Sequence, residues 1–325
     1  MSRSSWSTEL ESSRRLILGW LGGALGASLA PVWAAQTEVW LVLSEAGGVH
    51  LDAAQALQAA WERDPRLLLT WRIGRWQELP PLSAEAIPSL IITLGQSAWR
   101  GAVERVLNQP ALARLPLLAA LLPQSSYREL AAKAALRSTA VLLDQPPARY
   151  VELLQLALPG YKRIGVLFGP DSIAARAELA RALAARGLTL LQATVLSDAN
   201  SLYPVLRTLL DEADVLLALP DRLVFNPVTI PNILIAAYRQ RVPLISYSAA
   251  HVRAGALLAL HTSANDAAEQ IAAVMRQTLA GHSLPPPRMA QGCSVTINEQ
   301  VARSLDLVLP DPVALARTLQ RESVS

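Results

Sequence analysis

From Glu38 onward, short unbroken apolar runs alternate with segments of helical periodicity. EVWLVLSE precedes a helix through Ala53 to Trp61; LLLTWRIG, SLIITLG, a helix after Ser97, PLLAALL and TAVLLD then follow, closing at Asp144. Strands alternating with helices argue for βαβ units, and strands buried on both faces read as continuous apolar runs. A second series repeats the rhythm: RIGVLFG, a helix stopped by Gly187, TLLQATVL, a helix from Ser201 to Glu212, DVLLALP, a helix near Pro231 to Arg239, PLISYS and GALLAL. The fold class is α/β, with two doubly wound parallel-sheet lobes.

Proline marks the passages between the halves. DQPPARY, from Asp144 to Tyr150, resists helix before its prolines and stiffens a crossover, and SLPPPR from Ser283 does the same. Between them, Ser263 with an acidic residue three positions on forms a helix start, and Ile271, Val274, Met275 and Leu279 share one face before Gly281. CSVTIN gives a last strand, and Val301 to Leu319 gives helical turns broken around Pro310 and Pro312. Two similar halves joined by several crossings form a multi-strand hinge with a cleft between lobes.

Ahead of the first strand, Arg14 and Arg15 precede an uncharged run, Leu16 to Thr37, that ends in Val32, Trp33, Ala34, Ala35. This is the order of a cleavable export signal over residues 1–35, cut after Ala34 or Ala35. The two arginines suit a twin-arginine route as well as the general secretory one. The formal charge of +3 falls to about +2 once the signal is removed. No basic stripe or reader motif for nucleic acid is present.

The single cysteine, Cys293, excludes an intrachain disulfide, and the four histidines, His50, His251, His261 and His282, lack metal-ligand spacing. No cofactor or metal is expected. No GxSxG, Walker A or paired-carboxylate motif marks a nucleophile or general acid, so catalysis has no positive support.

Polar residues instead gather where apolar strands stop, the place at which open α/β sheets bind ligands. Gly95, Gln96 and Ser97 open a helix whose free N–H groups suit an anion; the plainer role is a turn capped by Ser97. Gly169, Pro170, Asp171 and Ser172 repeat that arrangement, with capping as the stronger expectation. After DVLLALP, Asp221 can hold an ammonium group or pair with Arg222 or Arg253, and Asn226 can cap a helix begun by Pro227. Ser246, Tyr247 and Ser248 place a ring between two hydroxyls, as small-ligand pockets do.

LLDQPPARY, YKRIGVLFGP, the stretch from Asp214 to Leu260, and SVTINEQVARSLDLVLP resemble the periplasmic solute-binding components of ABC transporters, in the branch that includes aromatic amino-acid binders. The resemblance covers most of the chain after Val141. It implies a type I periplasmic-binding fold, with lobe 1 over 36–144 plus about 261–284 and lobe 2 over 145–260 plus about 285–325. It further implies an ABC permease, through which alone the protein meets the membrane; the protein is expected to be a monomer. Family members carry an Asp-Pro turn where this chain has Leu122, Pro123, Gln124 and Ser125, which leaves the ligand open. A sensory binding protein signalling to a membrane kinase or cyclase, and a secreted α/β enzyme, stand as alternatives.

Overall fold

The computed structural model describes residues 37–63, 68–82, 87–133, 136–196 and 199–322. The export segment expected over 1–35 lies outside the described residues.

Lobe 1 opens with β1 (Thr37–Leu43), α1 (Val49–Glu62), β2 (Leu69–Gly74), β3 (Leu90–Leu94), α2 (Gln96–Asn108), β4 (Leu117–Ala120), α3 (Gln124–Ala131) and β5 (Ser138–Leu142). The chain crosses to lobe 2 for α4 (Pro147–Ala157), β6 (Arg163–Phe168), α5 (Arg176–Ala185), β7 (Thr189–Thr194), α6 (Ala199–Glu212), β8 (Val215–Leu217), α7 (Ile230–Arg239), β9 (Leu244–Ser246), α8 (Ala249–Ala254) and β10 (Leu258–His261). It returns for α9 (Ala264–Leu279) and β11 (Arg288–Met289), then crosses again for β12 (Ser294–Ile297), α10 (Glu299–Ser304) and α11 (Pro312–Glu322).

The two six-stranded sheets share one strand order. It is β2-β1-β3-β4-β5-β11 in lobe 1 and β7-β6-β8-β9-β10-β12 in lobe 2. The pairings are parallel except the last, where β12 runs antiparallel to β10 with Leu258 opposite Ile297 and His261 opposite Ser294. Both faces of each sheet are covered, so β3 and β4 are buried along their whole length, which is why they read as apolar runs. In lobe 1, Leu57, Ile92 and Met275 pack on one face, and Trp40, Trp99 and Leu117 on the other. Lobe 2 places Tyr150, Phe168 and Leu319 on one face and Leu206, Leu216 and Ile233 on the other.

Three details depart from the sequence reading. Because Arg288 and Met289 pair with Val141 and Leu142 in the lobe 1 sheet, the last crossing falls after Met289, later than the boundary expected near residue 285. Helix α7 starts at Ile230 with Pro231 in its first turn, so Pro227 does not open it. Asn226 instead orders the turn before it, its Oδ1 accepting from Val228 N (3.0 Å) and Thr229 N (3.1 Å). A 3-10 turn over Ile173–Ala175 separates Asp171 and Ser172 from α5, and neither side chain caps that helix.

Candidate functional site

The order 2-1-3-4-5 puts a switch point between β1 and β3 in lobe 1 and between β6 and β8 in lobe 2, where such sheets ordinarily take ligands. Both crevices are filled by the chain's own side chains. In lobe 1, Gly95 has φ +93 and stands so close to the loop after β1 that a Cβ there would come within 2.5 Å of Ser44 Oγ and His50 Nε2. Ser44 Oγ also accepts from Ala98 N at 3.0 Å, serving the start of α2. Ser97 is exposed and makes no capping bond. Gly95, Gln96 and Ser97 border neither of the cavities described below.

In lobe 2 the plug is Asp221, which is 3% exposed. Its Oδ2 accepts from Asp171 N, Ser172 N and Ser172 Oγ, each at 2.9 Å. Oδ1 accepts from Leu223 N (3.0 Å) and Val224 N (3.2 Å). A Cβ on Gly169 would lie 2.3 Å from Oδ1, so only glycine admits the carboxylate there. Both oxygens are spent inside the lobe. The expected pairing with Arg222 or Arg253 is replaced by these bonds, and Arg222 pairs with Asp171 instead (Nε to Oδ2, 2.8 Å), holding the Asp171 carboxyl below its usual range.

Two chambers lie farther along the strand ends, each walled by both lobes. The smaller, about 250 Å³, is lined from lobe 1 by Gln124, Ser125, Arg128 and Asp144, and from lobe 2 by Tyr150, Asp171, Ser172 and Glu178. Asp144 Oδ2 accepts from Gln124 N at 2.6 Å, and burial raises its carboxyl pKa. Burial likewise raises the hydroxyl pKa of Tyr150. The larger, about 550 Å³, is mostly apolar, with Val49, Leu121, Leu143 and Pro220 beside Tyr247 and Ser248; Asp52, Arg253 and His261 add charge and polarity. Pro220 borders both chambers.

Tyr247 packs edge-on against Phe225 (6.3 Å) and His251 (5.1 Å), which fixes its ring at the chamber wall. Ser248 caps α8 by accepting from Ala250 N (3.2 Å). Ser246 is fully buried, and its Oγ lies 2.6 Å from His251 Nδ1, away from either chamber. Of the residues expected from sequence, the structure therefore gathers Asp171, Tyr247 and Ser248 at the cleft. It leaves Gly95, Gln96, Ser97, Asp221, Asn226 and Ser246 outside the lining of both chambers. Arg128, Asp144 and Tyr150 also line the smaller chamber, although the sequence pattern does not single them out; Asp144 ends an apolar run just as Asp221 does.

Behind the chambers the three crossings are stapled together. Gln145 Nε2 donates to Thr262 Oγ1 (2.8 Å) and to the Gly292 carbonyl (3.3 Å). Arg149 donates to Gln145 Oε1, to the Ala290 carbonyl (3.3 Å) and to the Gln291 carbonyl (3.0 Å). Asp266 closes the set, its Oδ2 accepting from Ser294 Oγ at 2.8 Å.

Two α/β lobes on a three-stranded hinge, with ligand-sized space walled by both, define a two-lobed binding protein of the type I periplasmic-binding fold. The family model for ABC transporter substrate binding proteins matches residues 139–319, over half of the chain, and the chain belongs to that family. No curated protein matches the sequence. Among solved structures, the chain is similar to a ligand-free, open substrate-binding protein with adhesive properties from Clostridium difficile (15% identity, 85% of this chain and 96% of that one, TM-score 0.64). It is also similar to a conserved domain protein from Vibrio cholerae (19%, 86% and 98%, 0.58). A third is an ABC domain in complex with L-Trp from Streptococcus pneumonia (16%, 86% and 98%, 0.57). Among the described residues, no helix is long and apolar enough to cross a membrane.

Proposed function

We infer that this chain is the exported, periplasmic solute-binding component of an ABC transporter, a monomer that closes two lobes over a small molecule and presents it, chemically unchanged, to a membrane permease. The observation that carries the reading is the pair of chambers built jointly by both lobes in front of the stapled crossings. Hinge closure around such a space is how two-lobed proteins trap ligands.

The ligand class best supported is an amino acid. The smaller chamber offers a cation, Arg128, and the carboxylates Asp144 and Glu178, a set that answers a zwitterionic head group. Beside it, the apolar walls and the Tyr247 ring of the larger chamber suit a hydrophobic side chain. The complex of a similar fold with L-Trp supports the same class. Asp144 takes the ammonium role that the sequence pattern gave to Asp221.

A thermal-shift screen of the purified protein against amino acids, amines, organic acids and sugars tests this, since ligand at about 100 times its Kd adds about 2.7 kcal/mol of stability. An amino acid should shift the melting point and be recovered intact, and Arg128→Gln should weaken its binding about tenfold, a loss of about 1.4 kcal/mol. A shift with sugars alone would keep solute capture and discard the amino acid. Turnover of the bound compound would favour an enzyme.

A further inference from the structure

We propose that Arg222 is a latch between the lobes, held ready by Asp171 in lobe 2 and engaged by Glu129 of lobe 1 when the cleft is closed. The guanidinium is gripped on its own side in a two-point fork, Nε to Asp171 Oδ2 at 2.8 Å and Nη2 to Oδ1 at 3.0 Å. The backbone N–H of Arg222 donates to the same carboxylate at 3.2 Å. Nη2 then reaches across the cleft to Glu129 Oε2 at 3.2 Å. Glu129 sits on α3, flanked by Lys133 at 3.8 Å.

The chain of contacts starts deeper. Asp221, buried under lobe 2, places the backbone of Asp171 and Ser172, and Asp171 places Arg222. A planar guanidinium can serve two carboxylates at once, which a lysine ammonium does poorly. The Asp171 fork also limits the side-chain entropy that an exposed arginine ordinarily loses when it pairs. Asp171 is thus a positioning residue for the latch.

The pair stands at the edge of the smaller chamber, which Asp171 lines from lobe 2 and Arg128, the neighbour of Glu129, lines from lobe 1. The Asp171 fork lies within one lobe, whereas the Glu129 contact joins two lobes and can respond to their separation. Only the second contact biases the equilibrium. Both members are about half exposed, at 50% and 43%, so the bias is modest and sensitive to salt. The proposal concerns closure itself and holds whatever solute the cleft takes.

The test uses the protein without added ligand. Spin labels at exposed Arg100→Cys in lobe 1 and Val228→Cys in lobe 2, with buried Cys293 left in place, report the interlobe distance distribution by pulsed electron resonance. Glu129→Gln should lower the ratio of short to long distances about threefold, within the range for an exposed pair, and Glu129→Lys should lower it further. Arg222→Gln should move it the same way. Salt at about 1 M, where screening acts within about 3 Å, should reproduce the shift in the parent protein and leave Glu129→Gln unmoved. Distance distributions that are the same in parent and Glu129 variants, whether open or closed, would overturn the latch.

Discussion

At the scale of single residues, a polar side chain at a strand end does one of two jobs, and its partners decide which. Asp221 and Asp144 both end apolar runs, yet Asp221 collects five donors from its own lobe while Asp144 faces a chamber shared with the other. Removing the Asp221 carboxylate leaves the N–H groups of Asp171, Ser172, Leu223 and Val224 without their acceptor, with Ser172 and Val224 buried, each a cost of about 1–3 kcal/mol where water cannot replace it. Asp221→Ala should therefore lose about 3 kcal/mol or more of unfolding free energy by urea titration. A variant of parental stability that had lost only ligand affinity would return the ammonium role to Asp221. Sequence offers little to separate the two carboxylates, because the partners of Asp221 at Asp171 and Ser172 lie about fifty positions away and no local pattern records them.

At the scale of elements, what depends on neighbours along the chain was legible and what depends on distant partners was not. The start of α9 is a capping box as the sequence reads, with Ser263 Oγ accepting from Asp266 N at 3.1 Å and Asp266 Oδ2 accepting from Ser263 N at 3.0 Å. The apolar face of α9, through Ile271, Val274 and Met275, is buried as its spacing requires. The start of α2 was misread because Ser44, far back along the chain, supplies the hydroxyl expected of Ser97. The hinge was visible as prolines, but its staple was not, since Gln145 and Arg149 reach over a hundred positions to Thr262 and to the carbonyls of Ala290 and Gln291. Arg149→Met fills similar space while leaving the buried Ala290 carbonyl, the Gln291 carbonyl and Gln145 Oε1 short of a donor, so it should cost about 3 kcal/mol in denaturant unfolding. An unchanged midpoint would mean that the crossings hold together without it.

At the scale of the whole molecule, both lobes hold half-buried histidines whose charged form is disfavoured by burial, and this sets a dependence on acid. Burial lowers the pKa of His50 in lobe 1 and of His251 and His261 in lobe 2, His251 to about 4. Unfolded histidine titrates at about 6.5, so below that pH the unfolded chain binds the extra protons, for His251 over the window from roughly pH 6.5 to 4. Stability is then fully present above that window and falls as the pH drops through it, at up to about 1.4 kcal/mol per pH unit for each titrating group. Asp171, lowered by its bond to Arg222, loses stability in the same direction at still lower pH. Asp144 acts in the opposite sense, because burial raises its carboxyl and the folded state takes up that proton first. Urea midpoints measured from about pH 7 to pH 4 should therefore decline, and His251→Gln, which keeps a polar partner within reach of Ser246, should flatten the decline. A slope that His251→Gln leaves unchanged would assign the acid sensitivity to the other histidines, and a flat curve in the parent protein would show that the folded lobes admit protons as readily as the unfolded chain.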